Sequence, residues 1–259
     1  MRALVISSFV AGEAIGGGAQ VLALERLGFA AALVPTVLLG RSPAKGGRGL
    51  ATDPQHLAAM LQDVEAEGFL AADLVVTGHF SHPDQVEAAA AALRRRVRGL
   101  VVVDPILGDA PRGLYVRPDV AEAVEALLLP LADWITPNLW ELSHLTGLQA
   151  ADAEAVRHAA AQLEPPALVT SVPAGGGEIG LMLCDGAAGV LLAHPRLPAA
   201  PNGTGDLVAA VFGAGLARGD APLEAALTAV GAVLARLGRP EAPIRTERFG
   251  ERSPGQARR

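Results

Sequence analysis

Residues Leu100–Val103 are aliphatic without interruption and run directly into Asp104 and Pro105. A strand that shows apolar side chains to both faces must be covered on both, which is the situation of a parallel sheet between two helical layers. Similar runs recur at 3–6, at 31–34 extended by Thr36 and Val37, and at 73–77, 133–135 and 167–171. Helical apolar spacing lies between them, at 19–27, 54–67, 83–97, 118–129 and 153–163, with further helices from Gly203 and over 223–237. A hairpin over 179–184 and 189–193 turns at Asp185 and Gly186. The expected fold is an α/β, doubly wound, mostly parallel sheet flanked by helices, with a late antiparallel edge.

Composition sets limits on what such a sheet can serve. With 259 residues, 51% of them hydrophobic, the chain can bury one large core. The expectation is a single domain over 1–240 and a polar, partly disordered tail over 241–259. A net charge of −6, with only one short basic run at 94–98, argues against nucleic acid as a partner. Cys184 is the sole cysteine, so an intrachain disulfide or a cysteine-rich metal site cannot form. No apolar run is long enough to span a bilayer and the first residues lack a signal-peptide layout, which predicts a cytoplasmic protein with no membrane partner. Residues 39–53, rich in Gly, Arg, Ser and Pro, read as a mobile surface loop or flap.

The chemistry is concentrated in Asn202, Gly203, Thr204, Gly205 and Asp206, followed by an apolar helix. Glycines at a helix start leave free N–H groups at its positive end, which makes an anion site. Asp206 in the first turn has two readings, complementing the helix dipole or accepting a proton from an attacking hydroxyl. Other patterns are weaker. The cluster Gly16, Gly17, Gly18 lacks the third glycine of a dinucleotide fingerprint, where Val21 stands. With Lys45 the only lysine, no P-loop is possible, and Ser42-x-x-Lys45 lacks its partner motif. His79 and His82 have no further ligand beside them, so His79 reads as a capping or substrate-contacting residue. The remaining constellation is Asp104, Asn138-x-x-Glu141, Thr170 with Ser171, and the 203–206 turn. Each falls at the C-terminal end of a parallel strand, where open sheets bind ligands. Hydroxyls, N–H groups and carboxylates on one rim suit a nucleoside triphosphate with Mg²⁺, since acids facing an anion require a cation between.

At these residues the sequence resembles the ribokinase-like superfamily and, within it, the pyridoxal kinases, to about Arg239. The matching words are Ile6-Ser7-Ser8, Arg26-Leu27-Gly28, Pro35-Thr36-Val37, Asp104-Pro105-Ile106-Leu107-Gly108-Asp109, Gly113-Leu114-Tyr115-Val116, Thr136-Pro137-Asn138-Leu139-Trp140-Glu141, Leu145-Thr146-Gly147, Val169-Thr170-Ser171 and Asn202 to Asp206. The resemblance implies a ribokinase-like fold with a minimal lid and a homodimer. It also implies ATP-dependent phosphorylation of the 5′-hydroxymethyl group of pyridoxal, pyridoxine or pyridoxamine. Asp206 would be the base, Gly203, Thr204 and Gly205 the anion hole, and Asn138 with Glu141 would order Mg²⁺ and phosphate. Asp104, Thr170 and Ser171 would contact phosphates, Leu197 would flank adenine, and Asp109 with Thr136 would suit a monovalent cation such as K⁺. Ser8 and His79 would contact the ring, and Tyr115 would shield the phosphate path. Departures cluster on the acceptor side, at Phe9, Gly16 to Gly18, Leu38 to Pro43 and Gly78-His79. They leave room for another hydroxymethyl acceptor such as hydroxymethylpyrimidine, or for a vitamer- or nucleotide-binding protein without turnover.

Overall fold

The computed structural model describes residues 1–96, 98–197 and 202–250. In chain order its elements are β1 (Arg2–Val10), α1 (Gly16–Arg26), β2 (Ala30–Leu39), β3 (Gly49–Ala51), α2 (Pro54–Ala66), β4 (Leu74–Thr77), α3 (Pro83–Arg94), β5 (Leu100–Val103), β6 (Gly108–Asp109), β7 (Gly113–Leu114), α4 (Pro118–Ala123) and β8 (Trp134–Ile135). There follow α5 (Leu139–Thr146), α6 (Ala153–Ala160), β9 (Ala167–Pro173), β10 (Glu178–Asp185), β11 (Ala188–Pro195), α7 (Thr204–Ala217), α8 (Pro222–Arg236) and β12 (Arg245–Phe249).

One ten-stranded sheet runs β12-β11-β10-β9-β8-β5-β4-β1-β2-β3. The six strands from β9 to β2 are parallel, while β3 and the β10–β11–β12 edge are antiparallel. The alternation along β1 sorts the two layers: Leu4 and Ile6 join the core beneath α2, α3 and α6, and Ala3 and Val5 the core beneath α1, α7 and α8. Because β2 lies on one side of β1 and β4 on the other, the chain reverses direction across the sheet between β1 and β4. That reversal opens a crevice at the strand C-termini.

Several expected boundaries shift. The glycine cluster is not loop, because α1 already begins at Gly16. Helix α4 stops at Ala123 and widens into a π turn over Val124–Leu128, where the missing N–H and the ring of Pro130 prevent continuation. The 39–53 stretch, expected as a mobile surface loop or flap, carries a 3₁₀ turn (Pro43–Lys45) and strand β3. Beyond Pro240, β12 adds an edge strand on β11, with Arg245 bonded to Glu178 at 2.9 Å. Val97, residues 198–201 and residues 251–259 lie outside the described residues. No helix among the described residues is long and apolar enough to cross a membrane.

Candidate active site

The turn before α7 sets the centre of the site. Gly203 is the N-cap with φ +86°, and a Cβ there would lie 2.7 Å from Ala14 O, so conformation and space both demand glycine. Thr204 and Gly205 open the first turn, and the Cβ position of Gly205 has no atom within 4 Å, which leaves its backbone approachable. Asp206 Oδ2 accepts a bond from Gly16 N at 2.8 Å. Its Oδ1 has no hydrogen-bond partner among the described residues. Burial pushes this carboxyl upward, opposed by the Gly16 N–H and the charge of Arg236.

Gly16 joins this centre to the crevice. It has φ +63°, and a Cβ would lie 2.3 Å from Ser8 Oγ. Ser8, at the end of β1, and Asp206, on α7, therefore meet on either side of one glycine. The neighbouring Ser7 Oγ accepts from His79 N at 3.3 Å, and His79 Nε2 lies 3.2 Å from Ser81 Oγ. Burial pushes the His79 imidazole down to about 4, so it is neutral at pH 7.

On the rim beyond β5 and β8, Asp104 is buried and held well above the usual carboxylate range. Burial is the main cause, and the negative charges of Glu141 and Asp206 add to it. Thr136 acts in the opposite direction, although its Oγ1 makes no hydrogen bond of full geometry. Glu141 is pushed up to about 7, again by burial, with the backbone bonds it accepts working against that. Those bonds come from Leu107 N and Asn138 N at 2.8 Å and more weakly from Gly108 N. Asn138 caps α5 through Glu141 N and donates from Nδ2 to Gly108 O, both below 3 Å. The N-x-x-E pair thus grips the 107–108 backbone. It steadies Ile106, whose φ of 45° is rare for a β-branched residue. Asp109 lies against Tyr115, whose phenol is raised first by burial and then by this neighbouring carboxylate.

Thr170 bonds back to Pro137 O through its N–H at 2.9 Å and bridges to Asn138. A bulge follows, opposite Gly180 and Met182, where Ser171 is exposed with φ +64°. A serine in left-handed conformation is strained, and such strain gathers at functional sites. Leu197 is half-buried at the edge of the described residues, beyond β11. The structure therefore gathers Ser8, His79, Asp104, Asn138, Glu141 and Asp206 around the strand ends.

Three participants escaped the sequence. Arg236, in the last turn of α8, donates from Nη2 to Ala14 O at 2.8 Å and Asn202 O at 3.3 Å. Glu13 receives Ser42 N at 2.7 Å and Lys45 Nζ at 2.8 Å, fastening the 40–47 turn to the first loop. Buried Gln85 binds the carbonyls of Thr36 and Thr52 and the N–H of Ser81. No motif signals them, because each has partners far away in sequence.

The phosphomethylpyrimidine kinase family model matches residues 14–243. A pyridoxal kinase PdxY of Deinococcus radiodurans is 35% identical over 228 residues, 81% of this chain and 76% of that one. A pyridoxine/pyridoxal/pyridoxamine kinase of Bordetella bronchiseptica is 34% identical over 253 residues, 90% and 87% of the two chains. The structure of a pyridoxal kinase from Leishmania donovani in complex with ADP superposes with a TM-score of 0.80 at 25% identity, covering 90% of this chain and 85% of that one.

Proposed function

The chain belongs to the pyridoxal kinases of the ribokinase-like superfamily, and on that premise we propose that it transfers the γ-phosphoryl group of ATP to the 5′-hydroxymethyl group of pyridoxal, pyridoxine or pyridoxamine. The observation that carries the reading is the unpartnered Oδ1 of Asp206 beside the Gly203–Gly205 turn. An acceptor hydroxyl placed there gives its proton to Asp206 while the N–H groups at the start of α7 face the transferring phosphoryl group. One bond forms, from the acceptor oxygen to γ-phosphorus, and the bond to ADP breaks. Ser8 and His79 line the crevice from which the acceptor ring enters, and Tyr115 covers the phosphate path.

Asp104 and Glu141 fit a Mg²⁺ site, because both carboxyls are raised and the charges of Glu141 and Asp206 bear on Asp104 without a compensating cation. The described residues contain no group of three or more His, Cys, Asp or Glu ligands. Mg²⁺ would therefore draw most of its oxygens from the triphosphate and water, supplying neutralisation of charge on the β- and γ-phosphates. Thr170 and Ser171 would flank those phosphates and Leu197 the adenine. The orphaned Asp109 Oδ1 and Thr136 Oγ1 are the donors suited to K⁺.

We propose a homodimer through the β2–β3 edge, a reading supported by Leu38 and Leu50, which face each other across the strands, 46% and 73% exposed. Light scattering tests it, a monomer at micromolar concentration refuting it. We propose a cytoplasmic location, a reading supported by the requirement of this reaction for ATP.

The kinase test is ADP release with Mg·ATP and, separately, pyridoxal, pyridoxine, pyridoxamine and hydroxymethylpyrimidine, with mass analysis of the product. A phosphorylated vitamer supports the proposal. The match to the phosphomethylpyrimidine kinase family and the departures at Phe9 and at 38–45 favour including the pyrimidine. Its selective phosphorylation would replace the acceptor and keep the chemistry, whereas binding without ADP formation would refute turnover.

A further inference from the structure

The turn from Asn202 to Asp206 and the loop from Glu13 to Gly16 face each other across 190 residues of sequence. Three contacts hold them. Asp206 Oδ2 takes the Gly16 N–H at one end, and Gly203 presses on Ala14 and Ile15 in the middle. At the other end one nitrogen of Arg236 reaches the carbonyls of both segments.

We propose that Arg236 is a positioning residue for phosphoryl transfer, clasping the glycine turn to the loop whose amide aims Asp206; this rests on the function proposed above. The two carbonyls belong to exposed residues, so water can replace the guanidinium at either one with little loss of fold stability. What water cannot replace is the tether between them. Without it, Asn202 and Ala14 are free to part, and the glycine turn slides relative to the Gly16 amide that fixes Asp206. Displacements of about 1 Å near a reacting centre cost up to ~10²-fold in rate. A simpler role exists for a cation in the last turn of a helix, complementing its dipole, and it predicts no effect on the loop or on turnover. Arg236 also bears electrostatically on Asp206 in the direction that favours its ionised form.

The test compares wild type, Arg236→Met and Arg236→Lys in steady-state kinetics and in hydrogen–deuterium exchange without substrate. Arg236→Met is expected to lower kcat by roughly 10-fold, with KM for Mg·ATP and acceptor within about 3-fold. Arg236→Lys, which keeps a donor and the charge, should recover part of that loss. Amides at 12–18 and 202–207 should exchange faster in Arg236→Met, while α2 and α3 on the opposite layer stay unchanged. Unchanged exchange at 12–18 overturns the proposal whatever happens to kcat. Unchanged kcat, or a loss confined to KM, overturns it as well. A wild type that phosphorylates none of the acceptors defeats the proposed function instead, and the exchange measurement still decides whether the clasp exists.

Discussion

Replacing Asp206 with Asn should move activity and stability in opposite directions. The amide keeps an oxygen for the Gly16 N–H, now bonded at 2.8 Å, and its NH₂ takes the place of Oδ1, which has no partner. Nothing in the packing has to change. Proton acceptance is lost, and general-base catalysis contributes about 10²–10⁴-fold, or roughly 2.7–5.5 kcal/mol at about 1.36 kcal/mol per decade. Stability moves the other way because burial raises the folded-state pKa of this carboxyl. The native chain then holds the proton more tightly than the unfolded one. Raising the pH from the unfolded carboxylate range through the folded value destabilises the fold, and that cost is complete at neutral pH if the folded value lies below it. Asparagine removes it. The expected result is kcat down by 10²–10⁴-fold, little change in KM, and a Tm equal to or above wild type. Each kcal/mol released would appear as about 2–4 °C in a chain of this size. Coupled ADP release and thermal unfolding measure the two. A kcat within about threefold of wild type refutes the base role, and a Tm lowered by several degrees refutes the argument from geometry.

Other expectations follow from the same contacts. His79 is held down to about 4, so folded stability is intact above about pH 6.5 and is lost as the pH falls from there to about 4, by roughly 1–3 kcal/mol for a half-buried ring. Urea unfolding at pH 7 and pH 5 should show a steeper loss for wild type than for His79→Gln, and parallel losses would refute the assignment. Glu13→Ala releases Ser42 N and Lys45, so trypsin should cut faster at Arg41, Lys45 and Arg48 and KM for the acceptor should rise; an unchanged cleavage rate counts against the fastening. Ser171→Gly relieves a left-handed serine and should stabilise the fold by about 1 kcal/mol while raising KM for Mg·ATP. A destabilised variant would mean that the Ser171 side chain contributes more than its strain costs.

Much of this architecture is written locally. Aliphatic runs such as Leu100–Val103 specify strands covered on both faces, and proline and asparagine fix where α2, α3 and α5 begin. The sequence alone therefore determined the doubly wound sheet, the rim of polar residues beyond its strand ends, and the glycine turn with its neighbouring acid. Composition misled where tertiary pairing overrode it. Glycines 16 to 18 enter α1 because packing against Ser8 and Leu33 leaves no room for a side chain at 16 or 17. The polar segment after Pro240 becomes a strand because β11 offers an unpaired edge. Asn138 and Glu141 bear the pattern of a ligand-ordering pair, yet most of their bonding capacity is spent on the 107–108 backbone. What only the tertiary structure decided is which distant groups complete the centre: the Gly16 amide on Asp206, Arg236 on two carbonyls, and Glu13 on the 40–47 turn. Periodicity and capping act within a few residues and so can be read along the chain. A hydrogen bond between β1–α1 and α7 exists only once the crossovers have laid β1 between β4 and β2 and α7 beside α1.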